Sequence, residues 1–140
     1  MAGKKATAAD GELILKLYDF RREAVMRQAR DDIFSKFVPK SCDEFIAVTK
    51  RNHPLNTAYR MVSSYWEMAA GLAKHGALHL DLFAENCGEG LFMFAKAQPH
   101  LDRLRKEVSS ISYVNMEWVV THSKDAARRL EIVKKRLAAM

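Results

Sequence analysis

The stretch AYRMVSSYWEMAAGLAKH, Ala58 to His75, decides the fold. At 100° per residue, Arg60, Ser63, Ser64, Glu67, Gly71, Lys74 and His75 fall within one wedge of roughly 120°. Ala58, Tyr59, Met61, Val62, Tyr65, Trp66, Met68, Ala69, Ala70, Leu72 and Ala73 fill an apolar arc about twice as wide. A helix packed on one neighbour needs only a narrow apolar stripe, so an arc this broad predicts several neighbours and a place at the centre of a bundle. Pro54 suits the first turn of this helix, and Gly76 stands where a left-handed residue ends one. The central helix is therefore expected near Pro54–His75.

The same punctuation extends in both directions. Residues 1–10 are small and polar and read as a flexible N-terminal segment, with Asp10 as cap of a first long helix. Leu13, Ile14, Leu17, Tyr18, Val25, Ala29 and Ile33 recur at helical spacing, which predicts one helix to about Phe37, stopped by Pro39. Within it, Glu23 precedes Arg27 by four, the favourable ion-pair orientation. Ser41-Cys42-Asp43-Glu44 matches a capping box for a short second helix. Leu80, Leu82 and Phe83 mark a helical connector, and Gly88 and Gly90 bracket a break before a helix kinked at Pro99. Val119, His122, Ala126, Leu130, Val133 and Leu137 then define one long helix from about Tyr113 to Ala138, bent near Ser123. No alternating strand pattern and no internal repeat occurs. The expected class is all-α: a single helical bundle over residues 11–140, with about five or six helices.

Composition supports an ordinary core. The chain has 140 residues, 49% hydrophobic and 29% charged, enough to fold without staples. Cys42 and Cys87 are the only cysteines, and no secretory pattern precedes them, so free thiols in the cytoplasm are expected. No apolar run approaches the length of a membrane span. The net charge of +6 is uneven: both ends are basic and residues 76–100 are acidic.

Few residues point to chemistry. His75 and His79 have the four-residue spacing of a helical metal pair, with Asp81 and Glu85 nearby. Gly76 interrupts that helix, so the expected metal and cofactor content is none. Glu67, beside Tyr65 and Trp66, could have its acidity shifted by aromatic burial, but its place in the polar wedge favours an exposed or paired carboxylate. Cys87 has no histidine near it in sequence to act as a base. Gly88-Glu89-Gly90 is too short for a phosphate cradle. Met26, Met61, Met68, Met93, Met116, Phe92, Phe94, Trp66 and Trp118 read as core before they read as a ligand pocket. No catalytic residue can be nominated.

Tyr65-Trp66-Glu67, Leu72, His75-Gly76, Leu82-Phe83 and Pro99 followed by Arg103 and Arg105 form a pattern over roughly Tyr59 to Lys106. The pattern resembles an uncharacterised bacterial family of small helical proteins, a domain of unknown function. The resemblance implies an all-helical fold without an assigned activity, and an ion pair between Glu67 and Arg103 or Arg105. Relatives commonly carry an N-terminal membrane helix, and no such apolar run appears here.

The leading expectation is a non-enzymatic protein-interaction or regulatory module, with self-association as a homodimer one form of it and the long C-terminal helix as its contact surface. Nucleic-acid binding through the basic termini, by Arg128, Arg129, Lys134, Lys135 and Arg136, is the main alternative. Small-ligand binding between helices is the third.

Overall fold

A computed structural model describes residues 4–140; of the flexible segment expected at residues 1–10, residues 1–3 lie outside them and Ala8–Asp10 belong to the first helix. Among the described residues the chain forms α1 (Ala8–Arg21), α2 (Ala24–Lys36), α3 (Cys42–Val48), α4 (Asn56–Lys74) and α5 (Leu80–Asn86). It continues through α6 (Gly88–Ala97), a 3₁₀ turn at Gln98–His100, α7 (Leu101–Glu107), α8 (Val114–His122) and α9 (Lys124–Ala138). The described chain is all-helical. Nine α-helices replace the five or six expected, because caps divide two segments that periodicity alone joins and the 3₁₀ turn at Gln98–His100 divides a third.

The first division falls at Glu23. Its carboxylate accepts the Val25 and Met26 amides, each at 3.0 Å, and so starts α2 instead of pairing with Arg27. Capping two free amides is worth about 1 kcal/mol, against a few tenths for an exposed i,i+4 ion pair. The second division falls at Ser123, whose hydroxyl accepts the Ala126 amide at 3.1 Å and starts α9. Upstream, the first helix begins earlier than Asp10. Thr7 is its cap, and Asp10 returns a carboxylate oxygen to the Thr7 amide at 2.7 Å. Half of the box at Ser41 forms: Ser41 accepts from Glu44, but the Glu44 carboxylate takes the Lys40 amide.

The central helix is α4, which packs against α2, α5, α6 and α8. It ends as its glycine requires. Gly76 has φ +77°, its amide reaches the Ala73 carbonyl at 3.2 Å, and the Ala77 amide reaches Leu72 at 2.9 Å. This pair of bonds satisfies the last carbonyls of the helix. The exposed face of α4 is rotated by about 50° from the polar wedge read off the sequence. Met68 is 54% exposed, while Ser63, Glu67 and Gly71 are half-buried, because α8 lies along that line. Gly71 leaves room there: a Cβ would stand 3.1 Å from Asn115 Nδ2.

Gly90 also plays a packing role and marks no break. It lies inside α6 with its Cα against the face of Trp66, where a Cβ would come within 3.1 Å of the indole ring. The deepest cluster holds Phe37, Phe45, Tyr59 and Tyr113 in edge-to-face contacts, with centroids 5.1 to 6.4 Å apart. Met26, Met93, Met116 and Phe94 are core residues as expected, whereas Met68 is not.

Candidate functional site

The polar side of α4 meets the start of α8, and the chemistry-bearing groups of the chain collect at this joint. The chain enters α8 through Tyr113, whose φ of +59° is left-handed and whose side chain caps nothing. A non-glycine residue there costs about 1–2 kcal/mol. Glu67 supplies the missing cap from α4: its carboxylate oxygens accept the Asn115 amide at 3.0 Å and the Met116 amide at 2.9 Å. Asn115 Nδ2 donates back to the Glu67 carbonyl at 3.1 Å. Burial raises the Glu67 pKa above its usual range, and the two amide bonds oppose that shift.

The Tyr113 phenol is buried and lies 2.8 Å from the Tyr59 phenol. Burial pushes the Tyr59 hydroxyl up to about 12 and raises Tyr113 as well. These residues line one side of a cleft of about 670 Å³, with Arg60, Ser64 and the exposed Met68 and Ile111 at its rim. Glu67, Tyr59 and Tyr113 are committed to each other and to backbone, which is the chemistry of a joint.

The arginines expected beside Glu67 lie elsewhere. Arg105 donates to the Ser112 carbonyl at 3.1 Å and pairs with Glu117 at 3.0 Å. Arg103 pairs with Glu107 and Asp43 on the surface. No arginine lies within ion-pair distance of Glu67 among the described residues. The correction has a simple cause. Two amides at a helix N-terminus offer fixed donors and a favourable dipole, while Arg105 is closer to a carboxylate on α8 itself. Glu67 and Arg105 thus serve the same joint from α4 and α7 without touching.

A family model, Domain of unknown function (DUF4760), matches residues 6–123. The chain belongs to that family. No curated protein and no solved structure matches it. The matched range contains α1 to α8 and ends at Ser123, so α9 lies beyond the DUF4760 match.

The remaining candidates fall at separate places in the DUF4760 domain. His75 is exposed at the end of α4. His79 is engaged on three sides: Nδ1 accepts the Leu82 amide at 3.1 Å, its own amide donates to Asp10 at 2.9 Å, and Nε2 meets the Lys4 carbonyl. Since Nδ1 accepts, Nε2 carries the proton, and His79 ties the N-terminal segment to α5. Among the described residues no three His, Cys, Asp or Glu side chains gather at metal-ligand distance. Cys87 is buried, with its thiol pushed up to about 12 by burial. His122 is exposed and stacks on Trp118 at 4.2 Å, outside the apolar stripe in which sequence places it.

On α9, Asp125 pairs with both Arg128 and Arg129, and Glu131 with Lys134. Lys135 and Arg136 are exposed on the same helix. Two further features carry no local sequence signal. Arg30 of α2 grips Glu89 of α6 with Nε at 2.9 and 3.0 Å and with Nη2, and donates Nη1 to the Arg21 carbonyl at 3.1 Å. Lys96, half-buried, donates to the Phe37 carbonyl at 2.8 Å and lies over the Phe34 and Phe37 rings. Burial lowers its pKa to about 8.

Proposed function

We propose that the chain is a non-enzymatic protein-interaction module whose contact surface is the solvent face of α9. One observation carries this reading. Ala126, Leu130 and Val133 are buried against α5, α6 and α8, so the opposite face presents Lys124, Arg128, Lys135 and Arg136 around Ile132, which is 40% exposed. A basic rim around an apolar contact fits an acidic amphipathic helix. The engagement of Glu67 with α8 amides also supports a non-enzymatic role, since the carboxylate nearest to an acid–base task holds a helix.

The apolar seam that would suit a homodimer is spent inside the fold, and two copies would bring like charges together on this face. A different chain is therefore the favoured occupant. Asp125 and Glu131 interleave with the cations of α9, which suits a protein better than an unbroken phosphate backbone. Cytoplasmic placement is part of the proposal, supported by the unpaired thiols of Cys42 and Cys87. No helix among the described residues is long and apolar enough to cross a membrane.

A photo-crosslinking residue at position 132, used in cells, tests the reading. Crosslinks to an acidic helical segment of another protein are expected, and they should disappear when Lys135 and Arg136 are both changed to Glu. Crosslinks to nucleic acid, to a second copy of the chain, or none above background would overturn it.

A further inference from the structure

Beneath α1 lies a cavity of about 220 Å³, separate from the cleft at Glu67 and from the α9 surface. Leu17, Tyr18 and Arg21 of α1 line one side, and Tyr65, Trp66 and Phe83 line the other. A void of about 150 Å³ accepts benzene, so this one holds a single substituted ring. Four aromatic side chains, Tyr18, Tyr65, Trp66 and Phe83, stand among its lining residues, a surface on which another ring packs well.

Two hydrogen-bond donors among its lining residues have no acceptor, one sealed in the core and one within reach of the cavity. Trp66 is 3% exposed, and its indole Nε1–H is buried without a partner. An orphaned donor of this kind costs about 1–3 kcal/mol. Arg21 is also largely buried, and among the described residues its guanidinium donates no hydrogen bond. Its only ion-pair contact is a long one, 3.8 Å to a Glu89 carboxylate that Arg30 already holds. The guanidinium carbon sits 5.3 Å from the Trp66 ring centroid and 5.3 Å from that of Tyr18. Arg21 thus stands at the edge of the void as a cation without a hydrogen-bond acceptor, while the Trp66 N–H is closed off from it.

We propose that this cavity is a binding site for a monocyclic aromatic carboxylate. The ring packs among Tyr18, Tyr65, Trp66 and Phe83, and the carboxylate accepts from the Arg21 guanidinium. The ligand gives Arg21 the acceptor it lacks, which an uncharged ring would not do.

Phenylacetate is the probe, with Trp118→Phe as background so that Trp66 alone emits. Titration should change the Trp66 emission saturably and raise the unfolding temperature with ligand concentration. Benzyl alcohol, which keeps the ring and loses the charge, should bind about tenfold more weakly or worse, as a charge-assisted hydrogen bond requires. Hexanoate should also bind more weakly than phenylacetate. Arg21→Met should abolish the preference for phenylacetate over benzyl alcohol. Ile14→Phe, which fills the cavity from α1, should remove binding of both and covers the case in which Arg21→Met fails to fold. The proposal is overturned by unchanged emission and melting at about 10 mM phenylacetate, a far weaker affinity than small-molecule sites usually show. Equal affinity for benzyl alcohol or hexanoate, or undiminished binding by either variant, overturns it equally.

Discussion

Glu67 of α4 accepts the Met116 amide of α8 at 2.9 Å, so one helix caps another across 49 residues of chain. The consequence is a register lock. The carboxylate meets two successive amides, Asn115 and Met116, and a slip of α8 by one residue would leave at least one of them bare. The same bond explains how Tyr113 can enter the helix left-handed: its phenol is fixed by Tyr59 and the helix it opens is capped from outside.

Removing that cap should be measurable. Glu67→Ala is expected to lower stability by about 1–2 kcal/mol, the range for losing a helix cap, read by urea unfolding. Glu67→Gln, which keeps one acceptor, should fall between Ala and the parent chain. Because burial raises the Glu67 pKa, the folded chain holds this proton more readily than the unfolded one. The Glu67 contribution is therefore full below the usual value of 4.5 and declines as pH rises through the folded pKa. Parent-like unfolding of Glu67→Ala would remove the capping account.

Lys96 gives the opposite slope at the other end of the pH scale. Its folded pKa is near 8 against an ordinary 10.5, so between these values the unfolded chain binds the extra proton. Stability relative to Lys96→Met should rise with pH from about 8 to about 10.5 and level off beyond. Paired denaturation curves across that window check it, and a flat difference would mean that Lys96 stays solvated.

Gly90→Ala tests the contact on Trp66. The added methyl meets the indole face at 3.1 to 3.2 Å, against three contiguous ring carbons that have no flexible end to move away. A cost of about 1–3 kcal/mol is expected, together with a shift in Trp66 emission. A neutral effect would show that α6 can back away from α4.

The two thiols should separate cleanly under an aromatic disulfide reagent. Cys42 is half-buried at the start of α3, whereas Cys87 is buried and its thiol is raised to about 12. One equivalent should react in the native chain and the second only with global unfolding. A Cys42→Ser chain that still labels rapidly would contradict that burial.

Local signals carried the reading of the helices, and distance set its limit. Gly76 and Ser41 announce their caps within four residues, so the C-terminal end of α4 and the start of α3 are legible from residue type, whereas Pro54, expected in the first turn of α4, lies in the turn before it. Glu23 is ambiguous by the same standard: it suits a pair with Arg27 and a cap on Val25 and Met26, and only the energies of the two choices separate them. Thr7 with Asp10 repeats the spacing of Ser41 with Glu44, a signal present in the sequence at a place that reads as a loose end. The apolar stripe of α9 is legible, but not that α5, α6 and α8 bury it. The destination of Glu67 is hidden because its donors are backbone amides 48 and 49 residues away, which have no residue type to recognise. Periodicity likewise cannot report that α8 covers the polar wedge and turns Met68 outward.

The attachments of α1 impose an order on synthesis. Tyr65 donates its hydroxyl to the Leu17 carbonyl, and the His79 amide reaches Asp10 across 69 residues. At about 5–20 residues per second, Asp10 is polymerised about 3–14 s before the residue that secures it. Throughout that interval Ile14, Leu17 and Tyr18 have no floor to rest on. The first helix to be translated thus waits for α4 and α5, and until they exist its apolar face has nothing to cover it.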